Sequence, residues 1–134
     1  MAESSCPKCG KTGFEVLEST SLNALINTLR DAVKVSENAG RLSVSVDERE
    51  YHRGRGEAYR QMLSAVEEAR ERWGPDVAAR FTWRFEDAAL YYLERYENAA
   101  SEEEENNCYG WFQAYQQAAL LITSLFSLAE VKEE

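Results

Sequence analysis

The sequence contains few of the residues from which catalytic and metal sites are usually built. Its 134 residues include three cysteines and one histidine, His52. An odd number of cysteines argues against a disulfide framework and fits a reducing compartment, where paired cysteines more often bind metal. Arg49 stands three residues before His52, which excludes the Glu-x-x-His pattern of di-iron helical bundles. No catalytic motif stands out.

Long hydrophobic runs and an excess of basic charge are also lacking. No stretch reaches the roughly 18 apolar residues that a membrane-spanning helix requires, and we expect neither a signal peptide nor a location outside the cytoplasm. The net charge is −9, and residues 61–134 hold six Lys/Arg against fifteen Asp/Glu, whereas residues 1–60 hold nine of each. Because binding phosphates requires excess Lys/Arg, direct nucleic-acid binding is disfavoured.

The chain does contain the apolar spacing of amphipathic helices. Between Leu22 and Leu29 the apolar residues recur at i, i+3, i+4 and i+7, and similar stripes follow along the chain. We therefore predict one mainly α-helical domain over residues 1–134, with about four helices. The predicted helices span residues 19–36, 48–73, 76–99 and 107–131.

Two short segments alternate apolar and polar residues instead. The alternation in residues 41–47 predicts a short strand. We expect it to pair with a second strand at 14–17, as a small hairpin beside a zinc knuckle in residues 1–18. Residues 79–85 alternate in the same way within the third predicted helix, so helix and strand both remain open there.

The clearest chemical signal is Cys6-x-x-Cys9 followed by Gly10. Two thiolates at this spacing bind one tetrahedral ion from a single turn, and the glycine relieves the backbone there. Together with residues 14–17, the knuckle resembles the first half of a zinc ribbon, without that family's second Cys-x-x-Cys. This resemblance implies bound Zn²⁺ in a structural role and implies nothing about activity.

A short internal repeat supplies the two remaining ligands. The segments that begin at Gly54 and Gly110 both read G-x-x-x-A-Y-x-Q, and small residues four apart let two helices approach closely. His52 and Cys108 each stand two residues before the glycine. The predicted zinc ligands are Cys6, Cys9, His52 and Cys108. The alternatives are an exposed histidine and a buried free thiol.

Two other charged groups allow more than one interpretation. The pairs Glu68-x-x-Glu71 and Glu94-x-x-Glu97 resemble the paired carboxylates with which all-helical nucleotide pyrophosphatases of the MazG type hold Mg²⁺. They are also expected by chance in a chain with 24 acids. A basic cluster either binds phosphate or acidic groups or is a solvated helix face. Its residues are Arg49, Arg53, Arg55 and Arg60, with Lys8 and Lys11.

The aromatic residues of the acidic half are too numerous for one core stripe. Those off the stripe predict an interface, where Trp and Tyr are enriched, although core packing is the alternative. The predicted partner-binding residues are Trp83, Tyr91, Glu102, Glu103, Glu104, Glu105 and Phe112.

These features predict a non-enzymatic, zinc-stabilised, acidic binding module that docks on a basic protein surface. Its most concrete form is an inhibitor or accessory protein of a nucleic-acid-handling partner, analogous in size and charge to accessory proteins of phages and mobile elements. The alternatives are a self-associating structural module, for example a homodimer, and a MazG-like hydrolase.

The metal is directly testable. Reduced, freshly purified protein is expected to carry about one zinc per chain, and Cys9→Ser is expected to lose it. Because the helical core exists without the knuckle, a chelator should lower the melting temperature without complete unfolding, unlike isolated zinc fingers. Elemental analysis that finds no zinc in the reduced wild-type protein would show that the zinc prediction is wrong.

Overall fold

A computed structural model describes residues 13–133, and the side chains of residues 21–125 other than those at 76 and 81. The prediction of a mainly helical chain is confirmed. The five helices are α1 (Gly13–Leu42), α2 (Val46–Trp73), α3 (Pro75–Phe81), α4 (Arg84–Glu97) and α5 (Glu102–Glu133). None of these helices combines the length and apolar character needed to cross a membrane.

The two copies of the glycine repeat meet where α2 crosses α5. A Cβ atom on Gly54 would overlap the carbonyl oxygen of Asn107, and one on Gly110 would overlap the carbonyl oxygen of Tyr51. Each glycine thus faces the carbonyl three residues before the other glycine, so the contact is reciprocal. The expected packing of the two helices through their repeats is therefore observed.

Helix α1 runs antiparallel to α2. Arg30 forms an ion pair with Glu67 at 2.6 Å, and Asn23 accepts a hydrogen bond from Arg70 at 2.8 Å. Earlier residues of α1 therefore meet later residues of α2. Together the two helices make a first hairpin.

Helix α4 runs antiparallel to α5 and makes a second hairpin with it. The rings of Tyr96 and Tyr109 lie 5.2 Å apart, and those of Phe85 and Tyr115 lie 5.6 Å apart. Because the starts of α2 and α5 lie together at the glycine crossing, the two hairpins stand side by side, with α1 and α4 on the outside.

The two hairpins can be aligned by matching Gly54 of the first with Gly110 of the second. The ends of α1 and α4 and the starts of α2 and α5 follow this alignment to within one residue. The correspondence extends well beyond the glycine repeat. The residues of the first hairpin that are identical to their counterparts in the second are Asp31 and Asp87, Ala32 and Ala88, Ser45 and Ser101, Glu48 and Glu104, Gly54 and Gly110, Ala58 and Ala114, Tyr59 and Tyr115, and Gln61 and Gln117.

One buried apolar cluster joins the hairpins, and α3 closes it at one end. All five helices contribute side chains, mostly at the spacing that the sequence predicts. The buried members are Leu22, Leu25, Ile26, Leu29, Ala58, Tyr59, Met62, Val66, Ala69, Ala78, Ala79, Phe85, Ala89, Ala114, Tyr115, Ala118 and Ile122.

The strand expected at residues 41–47 is wrong. Helix α1 continues to Leu42, and α2 starts at Val46 after the hydroxyl of Ser45 accepts a hydrogen bond from the Glu48 amide at 3.1 Å. The apolar side chains of the alternating segment are exposed, so they bury no sheet face. Residues 14–17 fall within the bounds of α1. The first 12 residues of the predicted zinc knuckle, which include Cys6 and Cys9, lie outside the described residues.

The third predicted helix is two helices, and residues 79–85 contain no strand. The amide of Thr82 bonds to the carbonyl of Ala79, and the amide of Trp83 bonds to that of Arg80, each at 3.2 Å. These bonds reach back three residues, as in a 3₁₀ turn. The buried Thr82 hydroxyl also donates to the Ala79 carbonyl, which favours the break.

The glycine crossing predicts a contrast between two substitutions. Gly110→Ala should lower the free energy of unfolding by about 2 kcal/mol or more, because overpacking against backbone outweighs the gain in helix propensity. Gly40→Ala is the control, because its Cβ would stand 3.6 Å from the His52 Cβ, an ordinary contact.

For the control we expect no loss, or a gain of up to about 1 kcal/mol. Urea denaturation of both variants measures the difference. Equal stability of the two variants would show that the helices do not cross at these glycines.

Candidate functional site

The predicted ligands His52 and Cys108 face different helices. In an α-helix, residues two positions apart point about 200° apart. Because Gly54 and Gly110 face each other, the residues two before them face away from the crossing. His52 packs on Gly40 of α1, whereas Cys108 lies beside Tyr92 of α4.

The described part of the chain brings no metal-binding cluster together. Among the side chains that the structure describes, no group of three or more from His, Cys, Asp or Glu is placed to hold an ion. Cys6 and Cys9 lie outside this range, so the knuckle itself stays a prediction. The four-ligand site would require the N-terminal segment to reach His52 and Cys108 on two separate surfaces.

Cys108 lies in a cleft of about 450 Å³ where α2, α4 and α5 meet. Burial raises the pKa of its thiol, the guanidinium of Arg95 opposes that shift, and the carboxylate of Glu104 adds to it. A raised pKa favours the protonated thiol, which is a poor nucleophile. With 5% of its surface exposed, Cys108 packs as a buried residue among these helices.

The inner side of α4 is fixed by stacked aromatic rings. Tyr92 stacks on Trp111 at 4.9 Å and on Tyr115 at 5.6 Å, with interplanar angles of 21° and 10°. Phe85 meets the same Tyr115 ring edge-on. These contacts hold α4 in one orientation on α5 and so determine which of its side chains point outward.

Three large apolar side chains lie along the outer side of α4, with Trp83 at its N-cap and Leu90 and Tyr91 within the helix. Trp83, Leu90 and Tyr91 are 49%, 62% and 55% exposed. They recur at i, i+7 and i+8. Asp87 lies between Trp83 and Leu90 and Glu94 follows Tyr91, so all five residues occupy one stripe. We call this stripe the α4 face.

Tyr91 is held in place on the α4 face. The guanidinium of Arg95 lies 5.9 Å from the centre of its ring, and a hydrogen bond with Tyr91 raises the pKa of Arg95. The ring also meets Tyr92 edge-on at 5.0 Å. A side chain ordered before binding loses less conformational entropy when a partner docks.

The four glutamates at 102–105 lie between the third and fourth predicted helices, but in the structure they form the first turn of α5. The Ser101 hydroxyl accepts a hydrogen bond from the Glu104 amide at 3.1 Å, and the Glu104 carboxylate accepts one from the Ala100 amide at 3.0 Å. Negative charge is also favourable at a helix N-terminus. Glu102, Glu103 and Glu105 remain exposed.

The aromatic residues predicted to bind a partner therefore fall into an exposed group and a partly buried group. Trp83 and Tyr91 are exposed on one stripe, whereas Phe112 is partly buried against the core and stacks on Tyr109 at 6.1 Å. Sequence reasoning missed Leu90. Its spacing from Trp83 carried the signal, since both fall opposite the buried positions of the same helix.

The carboxylate pairs of the hydrolase hypothesis point into solvent. Glu68, Glu71, Glu94 and Glu97 are all exposed, and Glu68 lies 3.6 Å from Arg72 of its own helix. Such spacing on one helix is that of an ordinary surface ion pair. The structure therefore offers no support for a shared magnesium site.

Comparison of the chain with protein-family models, curated proteins and solved structures gave no match.

The aromatic cluster predicts a loss of stability in alkali. Burial, and to a lesser extent Tyr92, raises the pKa of Tyr115 to about 12, whereas an unfolded tyrosine titrates near about 10. Because the folded pKa is the higher, this contribution is complete below pH of about 10 and is lost as pH rises toward about 12.

Tyr115→Phe should make stability less dependent on pH in that window. The dependence should not vanish, because burial also raises the pKa values of Tyr51 and Tyr92. Denaturant titrations at several alkaline pH values measure the slope. An unchanged slope in the variant would contradict the assignment to Tyr115.

Proposed function

We propose that this protein is a non-enzymatic binding module whose docking surface is the α4 face. The observation that carries the proposal is the exposure of Trp83, Leu90 and Tyr91 on one stripe of a helix that aromatic stacking holds in place. Single exposed apolar residues need no explanation, but grouped aromatic and aliphatic side chains are the usual anchors of interfaces.

Charge indicates the kind of partner. Asp87 and Glu94 lie within the α4 face, and the exposed glutamates at the start of α5 add to the acidic character of the same half of the chain. Acidic groups around apolar anchors favour a basic protein surface and speed its association. We therefore propose a partner with a positively charged patch.

The finer form of the proposal concerns the setting. A nucleic-acid-handling protein has the required basic surface, and an acidic protein that covers it acts as an inhibitor or accessory factor. Three cysteines, with Cys6 and Cys9 as zinc ligands, fit a reducing intracellular compartment. The zinc knuckle then serves as a structural staple and takes no part in chemistry.

Two leucines provide a matched test of the docking surface. Leu90 on α4 and Leu120 on α5 are 62% and 60% exposed, so they differ in position but hardly in burial. Wild-type protein, Leu90→Ala and Leu120→Ala serve as immobilised baits for extracts of the source cells, and quantitative mass spectrometry measures what each retains.

We expect one basic protein to bind the wild type and Leu120→Ala but to be depleted on Leu90→Ala. With that protein purified, Trp83→Ala should weaken binding by about 2 kcal/mol if Trp83 is a hot spot. Equal retention on all three baits would refute the α4 face as the docking surface. Dimerisation of the pure protein that Leu90→Ala abolishes would instead establish self-association.

The acidic rim is expected to act on the association rate. Glu102, Glu103 and Glu105 can be changed together to Gln, while Glu104 is kept because it caps the helix. Association should slow at low salt and approach the wild-type rate at high salt, because rim charges act by steering. A wild-type rate at every ionic strength would remove these residues from the interface.

A further inference from the structure

A cleft of about 370 Å³ lies between α1, α2 and α5 and shares no residue with the α4 face. Its volume is within the range of small-molecule sites. Leu29, Tyr59 and Ala118 line the cleft and are buried, so its floor is part of the apolar cluster. Ala32 and Leu121 line it as well and pack against the same cluster. A ligand in this cleft therefore meets an apolar surface.

The polar groups of this cleft include one cation and no anion. Among the described side chains that line it, Arg55 is the one charged group, although the whole chain holds 24 Asp and Glu residues. The other polar groups are hydroxyls and amides, which can donate hydrogen bonds without carrying a charge. They belong to Thr28, Tyr51, Tyr59, Gln113 and Gln117. The cleft therefore suits an anion.

Arg55 has no acidic partner among the described side chains. It is half-buried, and it takes part in none of the ion pairs or side-chain hydrogen bonds found there. Its guanidinium lies 5.6 Å from the centre of the Tyr59 ring. Burial raises the pKa of Tyr51 and the Arg55 guanidinium opposes that rise, so the Tyr51 hydroxyl lies within its electrostatic reach. Arginine is seldom withdrawn from water without a paired acid, and a bound anion would supply one.

The second hairpin has a tryptophan at the position of Arg55. In the alignment of the two hairpins, Tyr59 corresponds to Tyr115 and Arg55 corresponds to Trp111. The rings of Trp111 and Tyr115 stack with their centres 6.3 Å apart, whereas Arg55 lies over the ring of Tyr59. The two hairpins thus keep the tyrosine but exchange a neutral ring for a cation. Covering the tyrosine ring therefore does not by itself require an arginine.

We propose that the cleft between α1, α2 and α5 binds a small organic carboxylate with an apolar body. The carboxylate pairs with the Arg55 guanidinium, because planar guanidinium and carboxylate groups form two parallel hydrogen bonds. The Tyr51 hydroxyl and the Gln117 amide are further donors at the cleft. The apolar body lies against Leu29 and Ala118. The site goes beyond partner docking and does not depend on it, because no residue of the cleft belongs to the α4 face.

A titration of the full chain, followed by two-dimensional NMR of the backbone N–H groups, tests the site and its location. The probes are phenylacetate, phenylacetamide, which keeps the ring without the charge, and acetate, which keeps the charge without the ring. We expect phenylacetate to shift signals within residues 51–59 and 113–121. It should bind about tenfold more tightly than phenylacetamide, because the neutral compound lacks the charge-assisted contact. Acetate should bind more weakly than phenylacetate, because it lacks the apolar body.

Two arginines of α2 provide a matched pair of variants. Arg55→Gln should bind phenylacetate and phenylacetamide equally, because it removes the cation of the cleft. Arg53→Gln is the control, because Arg53 is exposed, lies outside the cleft and carries the same charge, and its affinity for phenylacetate should stay within about twofold of wild type. Ala32→Leu fills the apolar part of the cleft and should weaken the binding of both ring compounds. Thermal melting checks its fold, and the arginine pair keeps the test valid if the leucine is not accommodated.

Several outcomes would overturn the proposal. They are the absence of phenylacetate binding, shifts confined to residues outside the cleft, equal affinity of the wild type for phenylacetate and phenylacetamide, or an unchanged preference for phenylacetate in Arg55→Gln. Acetate binding as tightly as phenylacetate would exclude the apolar body from the site. Tighter binding of an acidic peptide than of phenylacetate would overturn the small-molecule assignment in favour of a protein ligand.

Discussion

The close backbone crossing of α2 and α5 at Gly54 and Gly110 determines how the rest of the molecule is arranged. The two hairpins lie on either side of this contact, and each contributes one glycine to it. The residues on the far sides of the crossing then meet α1 and α4, so His52 and Cys108 face different surroundings. The buried cluster, the inner aromatic stack and both clefts follow from this arrangement.

Much of this fold could be predicted because its signals are local or periodic. Helical spacing located the long helices, and the G-x-x-x-A repeat correctly indicated where two of them meet. The strand at 41–47 failed because alternation predicts a strand only when one face is buried, and here the apolar residues are exposed. The sequence Ser101-x-x-Glu104 has the pattern of a capping box. The glutamate run was interpreted from its charge alone, so the start of α5 at Glu102 was not predicted.

The candidate sites were harder to predict, because they depend on angles around helices and on empty space. His52 and Cys108 each stand two residues before one of the touching glycines. Two positions along an α-helix correspond to a rotation of about 200°, so both residues point away from the contact. The exposure of Leu90 and Tyr91 depends on which side of α4 stacks on α5. The close approach of α1 and α2 at serine and glycine residues becomes visible in the sequence only by comparison with the aromatic residues at the corresponding positions of the second hairpin.

The two hairpins show how one backbone arrangement serves two surfaces. In the second, aromatic rings fill the interior and hold α4 with its apolar stripe outward. In the first, the small residues Ser36, Gly40 and Gly56 let α1 and α2 approach closely, and arginines border the groove beside them. Substitution of a few interior positions thus changes how the outer helix of each hairpin packs and which side chains it presents.

Glycines near the crossing also affect how far α2 is stable by itself. Gly54 and Gly56 each cost an isolated helix about 1 kcal/mol relative to alanine, so the first half of α2 is a weak helix by itself. The backbone that stabilises it belongs to α5, and it leaves the ribosome only after α3 and α4 have been made. The first half of α2 therefore depends on a contact with residues distant in the sequence, and forming such a contact costs more loop-closure entropy than a contact within one hairpin.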